Sequence, residues 1–353
     1  MNFRAIFYVI GILLSILGAS MGIPALVDIT HNNPEWKGFV FCMVFTLFSG
    51  GMLTFTAYRK DVFHLTIREG FLLTAITWAT LSIFSAFPFW ISGNGMSVVD
   101  SIFEAVSGVT TTGSTVMTDL DHTAPGLLMW RALLQWLGGI GIIVTALSIF
   151  PFLKLGGMQL FKTESSEKEK ALPRAAELAA SITVIYTGLT FLCFVAYRLT
   201  GMTNFDAVAH AMTTIATGGF STRDASFGAF EGTYADMVAA TFIVISCLPF
   251  VLYLKFARGN RTSLFQDSQV RVFLWIIFIA VMLLTFYKVA YLDLSFLHSL
   301  RLAYFHVVVI ISGTGYGLHD FEEWGSFPVL LMFCLMFIGG CAGSTTCSIK
   351  VFR

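Results

Sequence analysis

Apolar stretches of membrane-spanning length recur along the whole chain, separated by short polar or charged segments. Ala5 to Leu26, Gly38 to Tyr58, Gly70 to Ile91, Gly126 to Phe152, Glu177 to Leu199, Tyr234 to Ala257, Val270 to Leu292 and Ser326 to Phe352 each hold about 20 or more residues, the length that crosses a bilayer as a helix. They predict an all-α polytopic membrane protein with about eight transmembrane helices. The first stretch is preceded by Arg4 and passes a small-residue site at Gly18-Ala19-Ser20, but it is longer than the apolar core of a cleaved signal and is expected to be retained. Val98 to Val109, Phe205 to Ile215 and Leu297 to Ile311 are apolar but too short to span, and read as three re-entrant helices.

Each short helix ends in a run of small polar residues: Thr110-Thr111-Thr112-Gly113, Ile215-Ala216-Thr217-Gly218 and Ser312-Gly313-Thr314-Gly315. Aligned on Thr-Gly, the three glycines are 105 and 97 residues apart, and the order long helix, short helix, Thr-Gly, long helix repeats with them. The predicted units are 67–157, 175–260 and 268–353, preceded by a two-helix extension over 1–66. Each unit crosses the membrane twice, so the copies run parallel and can surround one axis along the membrane normal.

Composition and charge agree. Hydrophobic residues make up 56% of the 353, charged residues only 12%, and mean hydropathy is +0.79, too apolar for a soluble core. Zero formal net charge offers no basic surface for nucleic acid. Thirteen of the Lys and Arg residues fall on one side of the predicted spans, in the N-terminus and the loops 58–69, 153–176 and 255–271, against five on the other. That bias places the N-terminus in the cytoplasm. Fourteen acids lie on the outer side, Asp119, Asp121, Asp224, Asp320, Glu322 and Glu323 among them, and form either a solvated rim or a device that concentrates cations. Cys42, Cys193, Cys247, Cys334, Cys341 and Cys347 all sit in apolar stretches, as packing residues rather than disulfides or metal ligands.

Irregular backbone at membrane depth is tolerated where it lines an aqueous cavity, so three equivalent loops predict a shared pore. Glycine permits left-handed backbone angles, threonine adds uncharged oxygen, and rings of such oxygens can replace the hydration shell of a monovalent cation. The C-terminal ends of the short helices, partly negative, would favour that cation. Near the end of the chain, Gly339-Gly340-Cys341-Ala342-Gly343-Ser344-Thr345 puts three glycines into a span, enough to unwind it. Lys350 beyond it either snorkels to the surface or checks cations electrostatically.

In these motifs the chain resembles the membrane subunit of Trk/Ktr/HKT-type potassium transporters, most closely the Trk branch. The match rests on Phe103 to Thr115, Thr214 to Thr222, Gly339 to Thr345 and the cytoplasmic Gly156-Gly157-Met158-Gln159-Leu160-Phe161. It implies K+ uptake across the bacterial inner membrane through a filter made by the three Thr-Gly runs, with the glycine-rich segment and Lys350 as gate. It further implies a homodimer with one pore per protomer, four repeats per pore, and a cytoplasmic nucleotide-binding regulator. No cofactor is expected beyond the transported ion. In the family, serine at the first filter glycine goes with sodium preference, and Gly113 therefore points to potassium. The continuation Thr346-Cys347-Ser348 departs from relatives that carry more glycine there. A fourth copy at the same spacing would fall past Arg353, so a longer polypeptide or a second chain is expected to complete the ring.

Two other functions compete. A sodium- or proton-coupled secondary transporter would place acids or bases at mid-membrane, where Arg131 is the nearest candidate and could pair with an outer acid. An intramembrane cysteine hydrolase would use the G-x-C-x-G of Gly339 to Gly343 with His210 or His306 as base, but that elbow needs a strand-to-helix turn.

Overall fold

The computed structural model describes residues 3–58, 67–153, 171–260 and 262–352. The Gly156 to Phe161 motif lies outside them. Among the described residues the chain is helical, with one isolated bridge, Ile338 to Ile349, and no strand. Five helices among the described residues are long and apolar enough to cross a membrane, six if one bent pair counts as a single span.

The extension is a hairpin: α1 (Phe3–Ser20) continues through a break at Met21 into α2 (Gly22–Thr30) and packs along α3 (Trp36–Ala57). Its close approach is set by Gly11 and Gly50, where a side chain would strike the facing backbone. The first unit follows as α4 (Ile67–Ile91), α5 (Val98–Val109) and α6 (Pro125–Leu153). α5 starts at a capping box, in which Ser97 Oγ accepts from the Asp100 amide and the Asp100 carboxylate accepts from the Ser97 amide. The second unit is α7 (Ala171–Leu199), α8 (Asn204–Ile215), α9 (Ala235–Ser246) and α10 (Phe250–Ala257), with α8 capped by Thr203. After α11 (Ser263–Gln266), the third unit is α12 (Ser268–Tyr291), α13 (Phe296–Ser312) and α14 (Ser326–Met336). The short helices α5, α8 and α13 thus fall where the apolar pattern predicts re-entrant segments.

Two predicted spans are broken. Tyr234 to Ala257 bends by 86° between α9 and α10, because Pro249 cannot donate the next helical hydrogen bond. Ser326 to Phe352 is helical only to Met336, and no helix resumes among the described residues. The two breaks satisfy each other: Cys341 N donates to Cys247 O at 2.9 Å, Phe250 N donates to Gly343 O at 3.0 Å, and Thr345 Oγ1 donates to Ser246 O at 3.3 Å. Backbone groups freed within the membrane are therefore paired inside the protein.

The outward faces are apolar and uncovered, with Phe55 and Leu199 more than four-fifths exposed. Such a surface is expected of a helix bundle solvated by lipid, and the chain is an integral membrane protein.

Candidate functional site

The three short helices end alike. The amides of Thr112, Gly218 and Thr314 each reach back five residues, to the carbonyls of Ser107, Thr213 and Val309, at 2.9, 2.9 and 3.0 Å. The residue before each is left-handed: Thr111 (φ 57°), Thr217 (φ 51°) and Gly313 (φ 73°). This is the Schellman termination of a helix, three times over. Two residues further on, Gly113 (φ 84°), Gly219 (φ 82°) and Gly315 (φ 76°) are left-handed again. The equivalent segments are therefore Thr110–Gly113, Ala216–Gly219 and Ser312–Gly315, at spacings of 106 and 96. Alignment on the Thr-Gly pair slips the second copy by one: Ile215 is the last residue of α8, and Gly219 takes the place matched to Gly113 and Gly315. The slip arises because the second copy carries Gly218-Gly219 where the others carry Thr-Gly.

The loops lie against one another in order. A Cβ on Gly113 would stand 2.1 Å from the Gly218 carbonyl oxygen, and one on Gly219 would stand 1.6 Å from that of Thr314. A Cβ on Gly315 would meet nothing within 4 Å. The second loop is buried between its neighbours, whereas Thr112 and Gly315 are exposed. Two loop-to-loop contacts are thus packed, first to second and second to third, and the side between the third loop and the first is open among the described residues. Hydroxyls pair within the outer two loops, Thr110 with Thr112 and Ser312 with Thr314, both at 2.7 Å.

Behind the loops stands a buried polar scaffold that sequence reasoning largely missed. Glu104 and Arg131 are buried and paired at 2.7 Å. Glu104 also accepts from Thr115 Oγ1 (2.9 Å) and Val116 N (3.1 Å), while Arg131 donates to Ser221 O (2.8 Å) and lies over Phe220. One helical turn on, Gln135 donates to Gly218 O (2.7 Å) and accepts from Phe220 N (3.1 Å). That Gly218 carbonyl therefore already has one partner, in the first unit. The signal available in the sequence was the i, i+4 spacing of Arg131 and Gln135 on an otherwise apolar helix. Tyr316, beyond the third loop, bonds Thr213 (2.6 Å) and Thr214 (3.0 Å) on α8.

The glycine-rich segment touches two loops. Thr217 Oγ1 donates to Thr345 Oγ1 at 3.2 Å, and a Cβ on Gly313 would strike the Cys347 sulfur at 2.2 Å. Gly339 and Gly340 are needed for the fold of the segment itself: a Cβ on Gly339 would lie 2.2 Å from the Cys347 carbonyl oxygen, and one on Gly340 2.9 Å from that of Cys247. Gly339, Gly340, Cys341, Ser344 and Thr345 are buried, Ala342 and Gly343 partly so. Lys350 turns back onto the segment, donating to Thr346 Oγ1 (2.9 Å), to the Thr346 carbonyl and to Ser344 Oγ (3.4 Å). It is held by these groups rather than snorkelling. Neither histidine is brought to Cys341: His210 bonds Ser221, and His306 faces the His319 carbonyl.

Outside the loops, Arg223 joins Asp121 of the first unit (3.2 Å) to Asp206 of the second (2.8 Å), and the bond to Asp206 raises its pKa. The backbone amide of Leu120 holds the Asp224 carboxyl below its usual range. The hydrogen bond from His122 Nδ1 to Asp119, at 2.6 Å, raises the histidine. Asp121, Asp224 and Asp119 thus sit within a network of backbone amides, Arg223 and His122 on the outer face.

The TrkH family of cation transport proteins matches residues 36–353. The chain belongs to this family. The Trk system potassium uptake protein TrkI of Halomonas elongata is 40% identical over 347 residues, covering 98% of this chain and 70% of that protein. Trk system potassium uptake protein TrkH of Escherichia coli K12 is 36% identical over 362 residues, covering 100% of this chain and 74% of that one. The crystal structure of the potassium transporter TrkH from Vibrio parahaemolyticus superposes with a TM-score of 0.92 at 36% identity, over 100% of this chain and 74% of that one. As a TrkH-family member, the chain is a transport protein and not an enzyme.

Proposed function

We propose that this TrkH-family chain forms the pore of a potassium uptake system in a bacterial inner membrane, with its N-terminus in the cytoplasm. The supporting observation is the repeated double left-handed turn at Thr110–Gly113, Ala216–Gly219 and Ser312–Gly315, which packs three loops edge to edge at the C-terminal ends of three short helices. K+ passes among the loops, losing water to uncharged backbone and hydroxyl oxygens. The negative ends of α5, α8 and α13 and the outer acids favour its entry. A fourth element of the same kind closes the open side between Gly315 and Thr112.

Gly339 to Thr345, braced by Lys350, is the gate. Its contact with Thr217 supports a place beneath the filter, and displacing it breaks the hydrogen bonds to the α9–α10 break, to Gln269 and to Thr217. A homodimer and a cytoplasmic nucleotide-binding regulator belong to the same proposal through the family. Glu104, Asp206 and Asp236 are committed to Arg131, Arg223 and Arg301, which disfavours these three as titrating acids of an ion-coupled transporter.

The test is Rb+ and Na+ uptake into vesicles carrying the protein, with Gly113→Ser alongside. Selective Rb+ uptake that Gly113→Ser degrades is expected. Uptake without selectivity, or selectivity indifferent to Gly113→Ser, would overturn the filter assignment.

A further inference from the structure

The spacings of 106 and 96 residues that relate the loops also relate three buried side chains. Glu104, His210 and His306 each stand seven residues before the left-handed residue that ends their short helix, Thr111, Thr217 and Gly313. All three are at most 3% exposed. Each reaches the segment that leaves its own loop: Glu104 meets Thr115 at 2.9 Å, His210 Nε2 meets Ser221 Oγ at 2.9 Å, and His306 Nε2 meets the His319 carbonyl oxygen at 3.1 Å. A single such contact would be ordinary packing. Three, in register with the loops, form a repeated device.

We infer that Glu104, His210 and His306 are positioning residues, one tie per unit, which fasten the outgoing limb of each loop to its short helix and so hold the loop spacing that separates K+ from Na+. This rests on the filter reading given above. Loops that are free to widen or narrow would adapt to either ion, whereas loops tied at both limbs keep one aperture.

The ties differ in chemistry. The Glu104 carboxylate only accepts, taking Thr115 Oγ1 and Val116 N, and Arg131 balances its charge. His210 donates from Nδ1 to the Asp206 carbonyl at 2.8 Å, which leaves Nε2 of a neutral ring to accept the Ser221 hydroxyl. His306 faces carbonyl oxygens with both nitrogens, Leu302 at 2.8 Å and His319 at 3.1 Å, and a neutral ring can donate to only one of them. The third tie is therefore the weakest, and the effects of removal should rank Glu104 and His210 above His306.

The experiment measures Rb+ against Na+ uptake by the whole protein in vesicles for His210→Ala, Ser221→Ala, the double variant, His210→Gln and Gly113→Ser, with membrane abundance determined for each. Ser221→Ala removes only a hydroxyl, whose other partner is the Arg223 amide, so it reports even if His210→Ala fails to fold. Loss of one buried hydrogen bond predicts about a five- to tenfold fall in selectivity. His210→Ala and Ser221→Ala should each show that fall at normal abundance. The double variant should be no worse than the poorer single one, and His210→Gln, which keeps an acceptor, should retain most of the selectivity. Unchanged selectivity in Ser221→Ala while Gly113→Ser shifts it, or additive losses in the double variant, would overturn the ties and leave the filter standing. Unchanged selectivity in Gly113→Ser as well would overturn the filter reading itself.

Discussion

Arg131 donates from Nε to Glu104 Oε1 at 2.7 Å with both side chains withdrawn from solvent, and the pair joins the first loop to the second through Thr115 and Ser221. Breaking a buried pair by removing one partner leaves an uncompensated charge, at a cost of about 3–5 kcal/mol. Arg131→Met is expected to lower the melting temperature of the detergent-solubilised protein markedly. Arg131→Met combined with Glu104→Gln should recover part of the loss, because no buried charge then remains.

Gly219 has no room for a side chain, since its Cβ would stand 1.6 Å from the Thr314 carbonyl oxygen and its φ is 82°. Gly219→Ala should abolish selective uptake by forcing the second and third loops apart. Gly95 is also left-handed but has nothing within 4 Å, so Gly95→Ala should cost only about 1 kcal/mol of stability and leave selectivity intact. Uptake and thermal stability measured side by side check both.

Lys350 holds the glycine-rich segment through Thr346 and Ser344. Lys350→Ala removes these bonds and should raise basal Rb+ uptake several-fold in the absence of any regulator. A fall in uptake at normal abundance would count against the segment as a gate.

His122 titrates in the exposed outer rim. Its bond to Asp119 raises its pKa above the usual histidine range, so the folded chain favours the protonated form. That stabilisation is present in full below the usual histidine pKa and fades as pH rises through the raised value. A histidine-resolved NMR titration should find the raised pKa, and Asp119→Asn should return it to the usual range. Because both groups are solvated, the effect on overall stability is small.

Much of the fold was legible in the sequence because bilayer thickness imposes length on helices. Val98–Val109 matches to the residue, and α3, α4, α7 and α12 lie within a few residues of their apolar stretches, the largest gap being at the start of α7. Where prediction failed, backbone chemistry intervened. Pro249 and the glycines from 339 onward break two spans that hydropathy reads as continuous, and each break supplies the other's missing hydrogen-bond partners. The Thr-Gly register slips in the second copy because Thr-Gly is a composition cue, whereas the repeated geometry is two left-handed residues two apart, which Thr217 and Gly219 satisfy. Arg131 was visible as an isolated charge in an apolar span. Its partner is one of the fourteen outer-side acids, as expected, but which one was not legible: Glu104 lies buried within a short helix, and Gln135 and the equivalent His210 and His306 gain meaning only once the loops are placed.

The central claim, that K+ binds among the three loops, is tested most directly by anomalous scattering from crystals of the protein soaked in Tl+ or Rb+. Anomalous peaks are expected among Thr110–Gly113, Ala216–Gly219 and Ser312–Gly315, displaced by excess K+ and much less by Na+. Ordered loops with no peak among them, or peaks that Na+ displaces as readily as K+, would contradict it.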